Sequence, residues 1–384
     1  MRQMKNETRN AHLDEVYPHL PFEPTRGDGV WLEDASGRRV LDLYGGHAVA
    51  ALGYGHPRLI EAIQQQASTM VFQTNAVHMD ARARAANKLV DFAGGRLDRV
   101  FFVNSGAEAN ENALKLACKL TGRHRIIAVE HAFHGRTAAA AAVTWGSAAS
   151  WYGFPRTPFD VTFVPRDDIE ALETSMGEDV AAVILEPVQG LAGAFDLATD
   201  FVRAARRLTS ASGSLLILDE VQTGIGRLGQ PFGADLYDVT PDLMTTAKGL
   251  GGGFPCGALL LQDAVAREMK PGELGSTFGG GPLACAAIET VLDTITETKL
   301  LESVRQVSEQ IRQQCVVGPV TGIQGAGFLL GLKTNMPAAE IRNALLERNI
   351  MAGTSANKNV LRLLPPLILE SRHVELLADA LGEL

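Results

Sequence analysis

Cysteine is scarce in this 384-residue chain. There are four, at 118, 256, 285 and 315, none in a C-x-x-C pair and none at the spacing of a disulfide framework. That excludes a disulfide-stapled scaffold and points to a reducing cytoplasm. No run of about 18 apolar residues occurs, so no membrane-spanning helix is expected. Residues 1–16 mix Arg, Lys, Glu and Asp without an apolar stretch, so no secretory leader of ordinary form is expected there. Positive charge is in deficit, 35 Lys+Arg against 44 Asp+Glu for a net −9, which argues against a nucleic-acid partner that requires a basic face. Several signatures are also missing. Without a Gly-Lys pair there is no phosphate-binding G-x-x-x-x-G-K-[ST] loop. No H-E-x-x-H and no G-x-S-x-G occurs, which removes the common zinc-protease and serine-hydrolase readings. Neither internal repeats nor a Pro/Ser linker separates one part of the chain from another.

What remains is a soluble globular pattern, 46 % hydrophobic and unusually rich in glycine, with 39. A chain this long hides roughly three quarters of its unfolded surface and normally forms two or three lobes. Residues 30–43 read as a hairpin around Ser36-Gly37, and 57–70 and 80–92 read as helices. From residue 99, short apolar runs at 99–103, 125–129, 161–164, 180–185, 214–218 and 257–261 alternate with helical periods. Near-continuous apolar strands separated by helices specify an α/β fold with a mainly parallel sheet covered on both faces. After about residue 290 the pattern changes to a small α+β lobe: helix 300–314, strand 328–332, helix 338–348, strand 360–364 and helix 371–384.

Ligands of open α/β sheets bind beyond the carboxyl ends of the strands, so the residues just after each run carry the chemistry. Asn104-Ser105-Gly106-Ala107 joins a strand to a helix and is either a phosphate cradle or an ordinary turn capped by Ser105. Asp219-Glu220 ends another run; a metal-nucleotide role there lacks its phosphate loop. Gly224-Ile225-Gly226-Arg227-Leu228-Gly229 spells a dinucleotide fingerprint, but Gln230-Pro231 follows where a helix must open. His131 and His134 lack a third ligand at metal spacing, and no metal is expected. Lys248 follows the small, apolar 243–247 and precedes a glycine-rich loop. It is either a solvated surface lysine or a buried amine, deprotonated and nucleophilic enough to form a Schiff base. Together these features suit pyridoxal phosphate, which needs an amine, a carboxylate for its ring nitrogen, a phosphate cradle and flat packing on both ring faces. Lys248, Asp219 and Gly106-Ala107 supply the first three, and Phe133 and Val221 the last.

The ordered motifs Asn104 to Glu111, Phe133 to Thr137, Glu186 to Gly190, Leu218 to Arg227, Ala247 to Pro255 and Gly275 to Gly280 resemble the class III pyridoxal-phosphate aminotransferases, from about residue 26 to the end. Within that class the likeness is greatest to the acetylornithine aminotransferases. The resemblance implies a fold-type I transferase. Its large cofactor-binding domain would span 56–288, and a small domain would be assembled from segments 1–55 and 289–384. It also implies Lys248 as the cofactor lysine, Asp219 at the pyridine nitrogen, Val221 and Phe133 on the ring faces, and Gln222 near the ring hydroxyl. Glu220 is counted among the cofactor-binding residues. Gly106 and Ala107 would bind the phosphate, with Thr277 reaching the phosphate of a neighbouring subunit in a homodimer. Arg136, Ser276 and Arg362 would bind substrate carboxylates and nearby polar groups. The implied reaction is a ping-pong exchange between N-acetylornithine and 2-oxoglutarate in arginine biosynthesis. Succinylornithine, ornithine, 4-aminobutyrate or a carrier-bound aminoadipate semialdehyde remain alternative substrates, and a glutamate-1-semialdehyde-type aminomutase an alternative reaction. The chain departs from the family at Leu191, where a Glu that pairs with the second arginine is usual.

Overall fold

The computed structural model describes His12, Asp14 and residues 16–384. Most of the 1–16 stretch read above as lacking a leader therefore lies outside the described residues. The centre is a seven-stranded sheet in the order Arg99–Val103, Gly257–Leu261, Leu243–Thr246, Leu215–Asp219, Val180–Leu185, Arg125–Val129, Asp160–Val164. Gly257–Leu261 runs antiparallel to both neighbours, and every other pairing is parallel. All six apolar runs are strands, as their continuous hydrophobicity requires. The seventh strand, Leu243–Thr246, lies outside those six runs, because with two apolar residues it forms no apolar run of its own. Val180–Leu185 and Gly257–Leu261 are buried along their whole length, so both sheet faces are covered.

Helix Gly106–Thr121 follows the first strand. Ser105 caps it by accepting the Glu108 N–H at 3.2 Å, and the Glu108 carboxylate takes the Asn104 N–H at 2.8 Å. Its apolar face, Ala109, Ala113, Leu116 and Ala117, is fully buried. Helices Pro57–Thr69, Asp80–Phe92 and Pro282–Glu297 pack together, and position 288 falls inside the last of them.

The two ends of the chain meet. Strands Pro24–Asp28, Trp31–Asp34 and Arg39–Asp42 form an antiparallel meander that takes Ile350–Met351 as a parallel fourth strand. A second four-stranded sheet, ordered Val320–Ala326, Leu329–Thr334, Val360–Leu363, Gly353–Thr354, follows in the C-terminal part. Pairing of Ile350 with Leu41 brings the C-terminal sheet and the segment after Asp42 to one place.

Candidate active site

Asp219 ends a central strand and is 3 % exposed. A carboxylate so placed must be hydrogen-bonded. Its Oδ1 accepts the Val221 N–H at 3.0 Å. Its Oδ2 accepts from His134 Nδ1 and from Asn110 Nδ2, both at 2.7 Å. Because a carboxylate only accepts, His134 carries its hydrogen on Nδ1. Asn110 also donates to the His134 carbonyl at 2.7 Å and accepts from the Thr245 hydroxyl at 2.7 Å. Three donors therefore hold one carboxylate, and the two side-chain donors, His134 and Asn110, are themselves buried.

Lys248 follows the neighbouring strand. Its backbone has φ +44°, a left-handed conformation unusual outside glycine, and it opens a single 3-10 turn, Lys248–Gly251. Burial of its amine lowers the pKa to about 8, even though Asp219 and Glu186 nearby favour the charged form; Arg362 and Arg227 press it further down. Glu186, at the end of Val180–Leu185, accepts the Phe133 N–H at 2.8 Å. Burial raises its carboxyl to about 7, opposed by His134 and reinforced by the charge of Asp219.

Gly106 is required by a close approach. A Cβ there would lie 2.6 Å from Val221 Cγ1, so only glycine lets the helix N-terminus reach this point. Likewise a Cβ on Gly190 would fall 1.6 Å from Gln222 Oε1. Exposure separates two sets of residues. Asn110, His134, Asp219 and Thr245 are buried, whereas Gly106, Ala107, Phe133, Val221, Gln222 and Lys248 each keep part of their surface accessible. The first set supports and the second is available to a ligand. Buried polar atoms without a partner, His134 Nε2, Gln189 Oε1 and Thr246 Oγ1, belong to the segments that build this place.

Glu220 behaves differently from the expectation. It is fully buried, and its carboxylate accepts from the Thr223 hydroxyl at 2.5 Å, Gly233 N–H at 2.8 Å and Ala234 N–H at 2.6 Å. Successive residues leaving a strand point to opposite faces, so Glu220 ties down the following loop while Asp219 turns toward His134 and Asn110. That loop contains the G-x-G-x-x-G run, whose Gly226 and Gly229 adopt positive φ in turns with no helix opening there, so the dinucleotide reading is excluded.

Arg136 is exposed, its guanidinium 4.7 Å from the centroid of the Trp151 ring. Ser276 Oγ accepts from Asn104 Nδ2 at 3.2 Å and from the Gly279 N–H at 3.0 Å, fixing a loop on which Thr277 is exposed. Arg362 is 3 % exposed and donates to the Thr354 carbonyl, the Gly190 carbonyl and the Tyr44 hydroxyl. Asn110, Tyr44 and His47 were not singled out from the sequence, and His134 was considered only as a metal ligand. One signal was available for Asn110: it sits one turn beyond Gly106, between the apolar-face residues Ala109 and Ala113 of its helix. A surface cavity of about 600 Å³ at Trp31, Arg39, Glu370 and His373 involves none of these residues.

The family model described as Aminotransferase class-III matches residues 13–384. The chain is 42 % identical over 369 residues to an acetylornithine aminotransferase of Streptomyces clavuligerus, covering 95 % of this chain and 90 % of that one. Among solved structures it superposes on an acetylornithine aminotransferase from Elizabethkingia anophelis with a TM-score of 0.88 and 30 % identity, over 100 % of this chain and 99 % of that one. It also superposes on an ornithine aminotransferase from Toxoplasma gondii with pyridoxal phosphate at partial occupancy, with a TM-score of 0.92 and 27 % identity, over 100 % and 94 % of the two chains.

Proposed function

Because the chain belongs to the class III aminotransferases, enzymes that depend on pyridoxal phosphate, we propose that it moves the terminal amine of N-acetylornithine to 2-oxoglutarate, giving the semialdehyde and glutamate. The observation that carries this reading is one buried assembly. An amine of lowered pKa at Lys248 lies within electrostatic reach of an Asp219 carboxylate locked by three donors and of the buried Arg362 cation. The residues fit the cofactor. Gly106 lets the helix N-terminus close on Val221, and Lys248, partly accessible, has no side-chain hydrogen bond or ion pair among the described residues. Lys248, Asp219, Gly106, Ala107, Phe133, Val221 and Gln222 would hold it.

When bound, the cofactor supplies an aldehyde for the amine and a ring that draws electrons from the substrate carbon. Lys248 Nζ, with a pKa near working pH, would act as the base and acid for the substrate-carbon proton, a role that favours a matched pKa. Asp219, held by His134 and Asn110, would be the carboxylate that pairs with the ring nitrogen. Arg136 would orient the carboxylate common to both substrates and Arg362 the second carboxylate of 2-oxoglutarate, since a guanidinium binds a carboxylate through two parallel hydrogen bonds. Ser276 positions the loop beside them.

We further place the enzyme in the cytoplasm as a homodimer. Four thiols without disulfides suit a reducing compartment. Thr277 stands exposed beside Phe278, which is 64 % exposed and packs on the half-open Phe72 with ring centroids 5.3 Å apart, an apolar edge that a second subunit would cover. The small domain is proposed to join 1–55 with 289–384 through the Leu41–Ile350 pairing. The test is the visible absorption of the cofactor-loaded protein. Its band is expected to bleach with acetylornithine and return with 2-oxoglutarate; bleaching by another amine alone overturns the substrate assignment.

A further inference from the structure

Arg362 is a buried cation whose hydrogen-bond partners are all neutral. Nε reaches the Thr354 carbonyl at 2.7 Å, Nη1 the Gly190 carbonyl at 3.2 Å and Nη2 the Tyr44 hydroxyl at 3.0 Å. Five N–H groups less these three leave one on each terminal nitrogen, a fork that matches a carboxylate. The Tyr44 hydroxyl is the side-chain acceptor on this guanidinium. Since it accepts from Nη2, its own hydrogen goes to its other neighbour, His47 Nε2, at 2.8 Å. The His47 ring, though exposed at the surface, is neutral and able to accept there, because partial desolvation and the charges of Arg362 and Lys248 press its pKa down to about 4.

This relay is built at a conformational cost. Gly45, Gly46, His47 and Ala48 all have φ between +55° and +66°, and two of the four are not glycine. The buried Asp42 staples the turn, accepting the Tyr44 and Gly45 N–H groups at 2.7 and 3.0 Å and the Tyr54 hydroxyl at 2.5 Å. On its other side the Tyr44 ring lies flush against Gly353, where a Cβ would come within 1.9 Å of it. Strain of this kind persists only where surrounding structure enforces it.

We infer that His47, acting through Tyr44, is a positioning residue that aims the Arg362 fork at the carboxylate of a dicarboxylate co-substrate without neutralising its charge. An acid in the place of Tyr44 would also orient the guanidinium, but it would compete with the substrate for the same N–H groups. The phenol and imidazole hold it and leave the charge uncompensated. The inference rests on the proposed use of 2-oxoglutarate.

Glutarate, a dicarboxylate without a reactive oxo group, separates binding from turnover and is titrated calorimetrically into the cofactor-loaded enzyme. His47→Ala and Tyr44→Phe are each expected to weaken it about tenfold, the loss of a hydrogen bond to a charged group. The double variant should be no worse than either single one, since both break one chain. His47→Gln, whose amide oxygen replaces Nε2, should recover binding to within about threefold, while His47→Asn, which tolerates the left-handed backbone but falls short of Tyr44, should not. The rate of the half-reaction with the amine should change by less than about threefold in all of them. Glutarate affinity indifferent to His47, or equal losses of glutarate affinity and the amine half-reaction, overturns the inference alone. A wild-type enzyme that does not bind glutarate overturns the dicarboxylate reading, and the inference with it.

Discussion

At the level of single residues, adjacent side chains of the same type have opposite tasks. Asp219 and Glu220 look interchangeable in sequence, yet the first ends a strand facing the site and the second turns to cap the 223–234 loop with three hydrogen bonds. Glu220→Gln therefore places an amide N–H against backbone donors in a fully buried position. It is expected to cost about 2–3 kcal/mol of stability in denaturant unfolding, with the affinity for pyridoxal phosphate nearly unchanged; a loss of cofactor affinity at full stability would instead put Glu220 in the site. Lys248 gives a second expectation. Its neutral amine is the reactive form, and burial lowers its pKa to about 8. Uptake of pyridoxal phosphate by the cofactor-free protein should therefore accelerate as pH rises and level off above about 8, and Lys248→Ala should remove both this uptake band and turnover while the fold persists. The places of Lys248 and Asp219 at strand ends were legible because they follow apolar runs, where an α/β sheet presents its chemistry. Asn110 and His134 were not, because a residue that only holds another carries no motif of its own.

At the level of elements, legibility followed hydrophobicity. Runs such as Val180–Leu185, buried at every position, declare themselves as strands, and helices with one apolar face gave bounds within a residue or two. Pro24–Asp28 reads as a turn by composition and is a strand only because Trp31–Asp34 pairs with it. Val320–Ala326 hides its strand character behind two glycines, and Leu243–Thr246 has too short an apolar run to declare one. In each case partners elsewhere in the chain decide the conformation and local pattern does not. The helix Gly106–Thr121 shows how an element makes a site: its start is set by Ser105, and its distance from Val221 by the missing Cβ at Gly106. Gly106→Ala retains helical dihedrals but pushes against both Val221 methyls, at 2.6 and 2.7 Å. Overpacking of this kind costs about 1–3 kcal/mol. Because the displaced side chain belongs to the proposed cofactor wall, the cost should appear mainly as a roughly tenfold or greater loss of pyridoxal phosphate affinity in equilibrium dialysis. A drop in melting temperature at unchanged affinity would mean that Val221 does not line the cofactor.

At the level of the whole molecule, the remaining question is whether one chain makes one complete site. Lys248 and Asp219 lie among central strands of the large sheet, whereas Thr277 lies on an exposed loop next to the Phe72–Phe278 pair. We propose that this hydroxyl, held away from its own chain's interior at an apolar edge, meets its partner across a subunit boundary. The proposal can be decided by complementation. Thr277→Ala alone should weaken cofactor retention, by about tenfold for a hydrogen bond to a charged phosphate. Lys248→Ala alone should be inactive. If Thr277 serves the neighbouring subunit, a hybrid of one Lys248→Ala chain and one Thr277→Ala chain contains a site with the lysine of the second and the threonine of the first, both intact. Mixing the two, at cofactor concentrations where Thr277→Ala homodimers are mostly empty, should restore wild-type turnover to one site in each hybrid. If Thr277 serves its own chain, the only lysine in the hybrid shares its site with the missing hydroxyl, and mixing restores nothing.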